Sequence, residues 1–172
     1  MAPIRAYFLP ADSASAIAAV SIEQLDALGW KILSVAGGHD EIEQAGQKFA
    51  QELGFPITQE GCIIRFDLDI EKKRSDNGSR ANGVVAAVTS GSPCIDVEDV
   101  TAPGWVRIHL SGGTLLSTPS GAKYRVSFNE QNKGAKGIAL FKETISNHGL
   151  LVNKEIDSHP ARQAYLKEVG QT

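Results

Sequence analysis

The chain has 172 residues, a formal net charge of −3 and a charged fraction of 22%. This length suits one domain with a sizeable core, so we expect a single domain over residues 1–172. A mildly acidic balance without a basic field argues against nucleic acid as a partner. No apolar run approaches the roughly 18 residues of a membrane helix, and the first residues do not have the pattern of a secretory signal. We therefore expect a cytoplasmic protein without a membrane partner.

The two cysteines, Cys62 and Cys94, lie far apart and do not have C-x-x-C spacing. Two reduced thiols in a cytosolic protein are favoured over a disulfide or a metal-binding pair.

The first third of the chain combines short strands with helices. Strands are predicted over Ala6–Leu9 and Trp30–Val35. Between them, Ser21 and Gln24 have the S-x-x-Q form of a capping box, which predicts a short helix that ends at Gly29.

The clearest helix is predicted from about Glu41 to Leu53. Asp40 is positioned to cap its first turn, and Gly54 follows as the residue that ends it. One face carries apolar residues at helical spacing, namely Ile42, Ala45, Phe49 and Leu53. We therefore expect this helix to bury one face and expose the other.

From Cys62 onward the hydrophobic period changes to two, which is typical of strands. After a predicted loop over Glu71–Gly83, strands are expected over Val84–Thr89, Cys94–Val97, Trp105–Leu110, Thr114–Ser117, Lys123–Phe128 and Ile138–Lys142. Glycine and proline separate these strands, as in a sandwich or barrel. A last helix is predicted over Pro160–Val169, with Ser158 as its cap.

Several motifs resemble those of one known family in order and spacing. They are DVED at Asp96–Asp99, GWVRI at Gly104–Ile108, LSTPSG at Leu116–Gly121 and the tail ARQAYLK at Ala161–Lys167. This run is similar to that of the acireductone dioxygenases, and the layout of the N-terminal half agrees. The resemblance implies a mainly β fold, a cupin-type double-stranded β-barrel (jelly roll) with a few peripheral helices.

Enzymes of that family hold Fe(II) or Ni(II) with three histidines and a carboxylate, donors that suit these metals. The resemblance places those ligand positions near Gly78, Arg80, Val84 and Tyr124, none of which is a histidine or a carboxylate. The family's substrate-contacting arginine corresponds to Ala86, and a family phenylalanine to Val126. The four histidines, His39, His109, His148 and His159, are scattered without H-x-H spacing. We therefore expect no metal ligands, no cofactor and no dioxygenase activity of the family type.

A barrel without its metal still encloses a small-molecule pocket. The first hypothesis is a cofactor-free isomerase, cyclase or lyase that acts as a monomer or homodimer on a hydrophobic metabolite, such as one of secondary metabolism. Its candidate catalytic residues are Tyr124, His109 and Arg107, because a phenol, an imidazole and a guanidinium can transfer a proton or stabilise an enolate. Its candidate substrate-binding residues are Val84, Ala86, Cys94, Val126 and Arg80.

The alternative is a non-catalytic relative that binds a ligand or another protein. Each polar candidate also has a purely structural interpretation. Tyr124 can fill the core, Arg107 and His109 can be ordinary strand residues, and Arg80 can belong to a polar loop.

Overall fold

The computed structural model describes residues 4–9, 18–58, 60–69, 78–128, 134–144, 150–152 and 154–170. In chain order its elements are β1 (Arg5–Leu9), α1 (Ile22–Ala27), β2 (Lys31–Ser34), α2 (His39–Glu52), β3 (Ile63–Asp69), β4 (Gly78–Arg80), β5 (Val84–Gly91), β6 (Cys94–Asp99), β7 (Gly104–His109), β8 (Thr114–Thr118), β9 (Tyr124–Ser127), β10 (Gly134–Leu140), β11 (Leu150–Val152), α3 (Lys154–Ser158) and α4 (Pro160–Glu168).

The described strands form two antiparallel sheets. The six-stranded sheet has the order β1-β7-β6-β9-β4-β11, and the five-stranded sheet has the order β2-β8-β5-β10-β3. Neighbours in space are mostly distant in sequence, as in a jelly roll. The prediction of a mainly β, cupin-type fold is confirmed, since two facing antiparallel sheets carry peripheral helices. The described strands form two separate sheets and not one closed barrel. That the whole chain forms one domain stays a prediction.

The main hydrophobic core lies between the two sheets. It takes inward-facing residues from the six-stranded sheet, such as Ile95, Val97 and Ile108, and packs them against Val88 and Leu116 of the five-stranded sheet. Because side chains alternate along a strand, the residues between these positions must face outward. The alternation therefore divides the strand residues into an inter-sheet set and an outer set.

A second core forms where helix α2 covers the outer face of the five-stranded sheet. Ile42, Phe49 and Ala50 of the helix pack on outward residues of β5, β8 and β10, including Val85 and Ile138. This confirms the buried helix face that the sequence predicts. The outward face of the five-stranded sheet is therefore closed to solvent along the helix.

The ends of the helices agree with the sequence in part. The Ser21–Gln24 capping box is present at α1. Helix α2 begins earlier than expected, because Gly38 and not Asp40 is its N-cap, and the Glu41 carboxylate accepts the Gly38 N–H at 2.6 Å. The cap of α4 is also corrected. The His159 ring accepts from the amide of Ala161, whereas Ser158, the predicted cap, ends α3.

The strands outside the predicted set are short. The expected loop over Glu71–Gly83 contains strand β4, and residues 70–77 of that loop lie outside the described part of the chain. Strand β11 and helix α3 are also absent from the sequence prediction. Three residues of strand carry too little hydrophobic periodicity to be recognised. Within the described residues, no helix is long and apolar enough to cross a membrane.

Helix α4 is attached to the six-stranded sheet through Tyr165, whose ring belongs to the inter-sheet core. Its hydroxyl donates to the Leu28 carbonyl oxygen at 3.0 Å. Burial raises the pKa of Tyr165 to about 12. The phenol is therefore neutral in the folded protein over the whole physiological range.

We expect Tyr165→Phe to lower the free energy of unfolding by about 1–3 kcal/mol, because the buried Leu28 carbonyl loses its donor. The raised pKa of Tyr165 stabilises the fold fully below the unfolded-state value of about 10, and this contribution disappears as the pH rises towards 12. The difference between the two proteins should therefore narrow above pH 10. Urea unfolding across that range measures it, with the partly exposed Tyr7→Phe as the control. A difference that stays constant with pH would contradict this role.

Candidate functional site

Five of the predicted site residues share the inter-sheet face. Tyr124 and Val126 of β9 pair with the core residues Val97 and Ile95, so they point the same way. In the five-stranded sheet Val84 and Ala86 alternate with Val85 and Ala87, which lie under α2. Arg80 completes the set on β4. The alternation of side chains along each strand thus places these five residues in the space between the two sheets.

Tyr124 lies at the junction of β9, β4 and the segment before β2. Its backbone is in register with Gly78 of β4. Its ring meets Trp30 edge to face, with the ring centroids 6.0 Å apart. Burial raises the pKa of Tyr124, and the charge and hydrogen bond of Arg80 oppose that rise only in part. The hydroxyl is therefore protonated at neutral pH and lies beside a guanidinium.

Arg80 is two residues beyond Gly78, so its side chain extends on the same face of β4 as Tyr124 on β9. The guanidinium carbon lies 5.2 Å from the centre of the Phe141 ring, which follows β10 in the other sheet. The Nε atom is buried and has no hydrogen-bond partner among the described residues. A cation thus lies between the sheets, and its Nε has no partner among the residues that the structure describes.

The inter-sheet space is open near these residues. Ala86 pairs with Ala139 of β10, and Ala139 pairs in turn with Ile64 of β3, so small side chains occupy the middle of this row. Ala86, Ala139 and Ile64 are all partly exposed although they face the other sheet, as is Tyr124. Larger side chains would exclude solvent here. Among the described residues, this part of the sandwich leaves solvent-accessible space between the sheets, to which we refer as the inter-sheet pocket, whereas the part around Val97 and Ile108 is a packed core.

The other three predicted site residues lie elsewhere. Cys94, Arg107 and His109 occupy strand positions between the core residues of β6 and β7, so they face the outer side of the six-stranded sheet. The expectation that all eight residues line one pocket is therefore wrong in its geometry. The alternation of β7 carried this signal, because Val106 and Ile108 form an apolar face and Arg107 and His109 lie on the opposite one.

On that outer face Asp96 is almost completely buried, with 1% of its side chain exposed. Its carboxylate accepts from Arg107 through Nε at 2.7 Å and Nη2 at 2.9 Å, and from Arg125 Nε at 2.9 Å. The Arg125 guanidinium also lies 4.5 Å from the centre of the Trp105 ring. One buried carboxylate thus joins β6 to both of its neighbours.

Burial alone would raise the pKa of Asp96, but the hydrogen bonds and charges of Arg107 and Arg125 outweigh it and lower the pKa below its usual value. The same ion pair raises the pKa of Arg107. Both arginines therefore bind the Asp96 carboxylate on the outer face and do not line the pocket.

Cys94 and His109 form the rest of this outer cluster. The thiol lies 3.5 Å from His109 Nδ1, and His109 Nε2 lies 3.2 Å from the Tyr7 hydroxyl. Burial raises the pKa of Cys94 and lowers the pKa of His109, with the charges of Arg5 and Arg107 adding to the second effect. A neutral thiol beside a neutral imidazole is a weak nucleophile. This arrangement suits a structural hydrogen-bond chain.

We expect Asp96→Asn to lower the free energy of unfolding by on the order of 3 kcal/mol, because two guanidinium groups lose their common carboxylate. The lowered pKa of Asp96 means that its contribution is present above the unfolded-state value of about 3.9 and disappears as the pH falls below it. Urea unfolding between pH 7 and pH 3 measures both effects. The control is Asp67→Asn, whose exposed pair with Lys136 should contribute less than about 1 kcal/mol. Equal losses in the two variants would contradict the assignment.

The donor set of the pocket does not fit a transition-metal ion. The positions that the resemblance equates with ligands carry glycine, arginine, valine and tyrosine, which present no imidazole or carboxylate. Among the described residues no group of three or more His, Cys, Asp or Glu side chains could hold a metal ion. The loss of the family's ligands stays a prediction, and these side chains offer no chemical step that runs through a bound metal.

No family model matches the chain. It is similar to "Acireductone dioxygenase" of Puccinia graminis f. sp. tritici, with 29% identity over 163 residues that span 93% of this chain and 86% of the relative. "Acireductone dioxygenase" of Ixodes scapularis is 28% identical over 84% of the chain and 77% of its own length. A solved structure, "Acireductone dioxygenase from Bacillus anthracis with cadmium ion in active center", matches with a TM-score of 0.60 and 12% identity, covering 82% of this chain and 92% of that one.

The two facing antiparallel sheets define a cupin-type fold. Over most of its length the chain is similar to acireductone dioxygenases, in line with the motifs of Asp96–Gly121. These relatives contradict the predicted function. A metal-independent isomerase, cyclase or lyase, or a non-catalytic binder, has no support from them, because relatives that match nearly the full chain are named dioxygenases.

Proposed function

We propose that the protein acts on an acireductone together with dioxygen, the activity for which its curated relatives are named. The proposed substrate site is the inter-sheet pocket, with Tyr124, Arg80, Val84, Ala86 and Val126 as contacting residues. Arg107, His109 and Cys94 are left out of this proposal, because they face the other side of the six-stranded sheet.

The observation that carries the proposal is the open row of small residues next to polar groups. Ala86 and Ala139 leave space between the sheets, and both are partly exposed. Tyr124 and Arg80 supply hydrogen-bond donors on the facing sheet. A concave, mostly apolar site with a few convergent polar groups is the usual form of a small-molecule pocket.

These residues can bind and orient the substrate. An acireductone is an ene-diol next to a carbonyl group, so it presents a planar set of oxygen atoms. The protonated Tyr124 hydroxyl donates one hydrogen bond, and the Arg80 guanidinium donates others. The apolar walls from Val84 and Val126 exclude water from the reacting carbon atoms and hold the ene-diol in one orientation.

The first test follows an acireductone mixed with the protein under argon and then exposed to dioxygen. We expect consumption of both above the uncatalysed rate, measured by the loss of enolate absorbance and with an oxygen electrode. The assay is run on chelator-treated protein and on protein supplied with Fe(II) or Ni(II). A rate equal to the uncatalysed one under every condition would overturn the proposed function.

The second test fills the pocket. Ala86→Leu adds a branched side chain to the open row and should lower kcat/KM at least about tenfold by excluding substrate, which corresponds to about 1.4 kcal/mol. Folding should be retained, because the added atoms enter open space. Ala27→Leu, the same change at an exposed position of α1, is the matched control and should keep full activity. Equal activity in both variants would place the substrate outside this pocket.

A further inference from the structure

We propose that Arg80 and Tyr124 form an oxyanion-binding site that holds the substrate as a planar ene-diolate monoanion. The identity of that anion as an acireductone rests on the proposed function, whereas the anion-binding site itself rests on geometry. The two residues come from adjacent strands, β4 and β9, whose backbones are in register at Gly78 and Tyr124.

The charge of Arg80 favours the binding of an anion. Arg80 forms no ion pair with a carboxylate among the described residues, and its Nε is buried without a hydrogen-bond partner there. Other buried or partly buried arginines have carboxylate partners, since Arg107 and Arg125 share Asp96 and Arg162 pairs with Glu98, although the Arg162 Nε likewise has no described partner. Burying an unpaired charge is costly. An anion that enters the pocket would therefore be stabilised by a cation that has no carboxylate partner among the described residues.

The planar shape of the Arg80 guanidinium suits a planar anion. Phe141 lies against the guanidinium of Arg80, with 5.2 Å between the guanidinium carbon and the ring centre. This contact restrains the group, and a guanidinium donates N–H groups in one plane, which matches two oxygens of a planar anion. Tyr124 adds a donor from the neighbouring strand. The Trp30 ring restrains that phenol in turn.

The Tyr124 phenol is protonated at neutral pH. The pKa of Tyr124 is raised by burial and lowered only in part by Arg80, so the phenol remains a donor at neutral pH. Of these two side chains only the guanidinium is charged, so the pair carries one positive charge. A monoanion neutralises that charge, and a neutral ene-diol does not.

Ascorbate is a stable planar ene-diolate and serves as the probe under argon. Isothermal titration of the protein with ascorbate should show binding that weakens about 10- to 100-fold in Arg80→Gln, the range expected for loss of a charged hydrogen bond. Arg80→Lys keeps the charge but not the planar pair of donors, so its loss should be smaller. Tyr124→Phe should weaken binding about tenfold. Arg5→Gln, which removes one exposed arginine from the opposite face of the six-stranded sheet, should bind ascorbate like the wild type.

Thermal unfolding of each variant accompanies the titration. If Arg80→Gln does not fold, Arg80→Lys and Tyr124→Phe decide the outcome. Wild-type affinity in a folded Arg80 variant overturns the proposal, as does no ascorbate binding by the wild type at millimolar concentration. Inorganic phosphate is titrated in parallel. Binding of this tetrahedral anion as tight as that of ascorbate would overturn the selectivity for a planar one.

The outcomes separate this inference from the proposed function. Arg80-dependent ascorbate binding without acireductone consumption would support the oxyanion site and overturn the function. Acireductone consumption that is unchanged in Arg80→Gln would support the function and overturn the oxyanion site.

Discussion

The buried carboxylate of Asp96 holds the centre of the six-stranded sheet in register. It accepts from Arg107 on β7 and from Arg125 on β9, so three neighbouring strands meet at one anion. A slip of one residue would turn every side chain of a strand to the other face. It would also leave this carboxylate and both guanidinium groups unpaired, which is costly for buried charges. The ion cluster therefore determines that Tyr124 and Val126, the neighbours of Arg125, face the other sheet.

The pocket depends on that register and on the packing of the opposite sheet. Helix α2 covers the outward face of β5, and a Cβ atom at Gly46 would lie only 2.6 Å from the Ala87 side chain. Since Ala87 contacts the helix, the adjacent residue Ala86 faces the inter-sheet space, because side chains alternate along a strand. There it pairs with Ala139, and the two small residues leave room that the rest of the core does not. The pocket thus results from small side chains at one place between two sheets that are otherwise packed against each other.

Much of the fold follows from periodicity, and much of the site does not. The change from helical to alternating spacing at Cys62 predicted the strands that form the two sheets, and the register of the Pro119–Gly121 turn correctly gave Tyr124 an inward direction. The alternation of β7 separates the apolar face of Val106 and Ile108 from the face of Arg107 and His109, so the outward position of these two candidates follows from periodicity once the apolar face is taken as the inner one. Strand β4, by contrast, was missed. Its three residues are polar or glycine, and only pairing with Tyr124 and with β11 makes them a strand.

That missed strand changes the interpretation of Arg80. In a polar loop an arginine would be solvated and of little consequence, because water screens its charge. On β4 the backbone hydrogen bonds of the strand direct it between the sheets, where Phe141 restrains it and no described carboxylate pairs with it. The resemblance equates this position with a metal ligand, so the cation of the side chain lies where the family has a cation of a different kind. Both groups carry positive charge, and the proposed ene-diolate site depends on that charge. A guanidinium donates hydrogen bonds in a plane, whereas a metal ion coordinates oxygen directly.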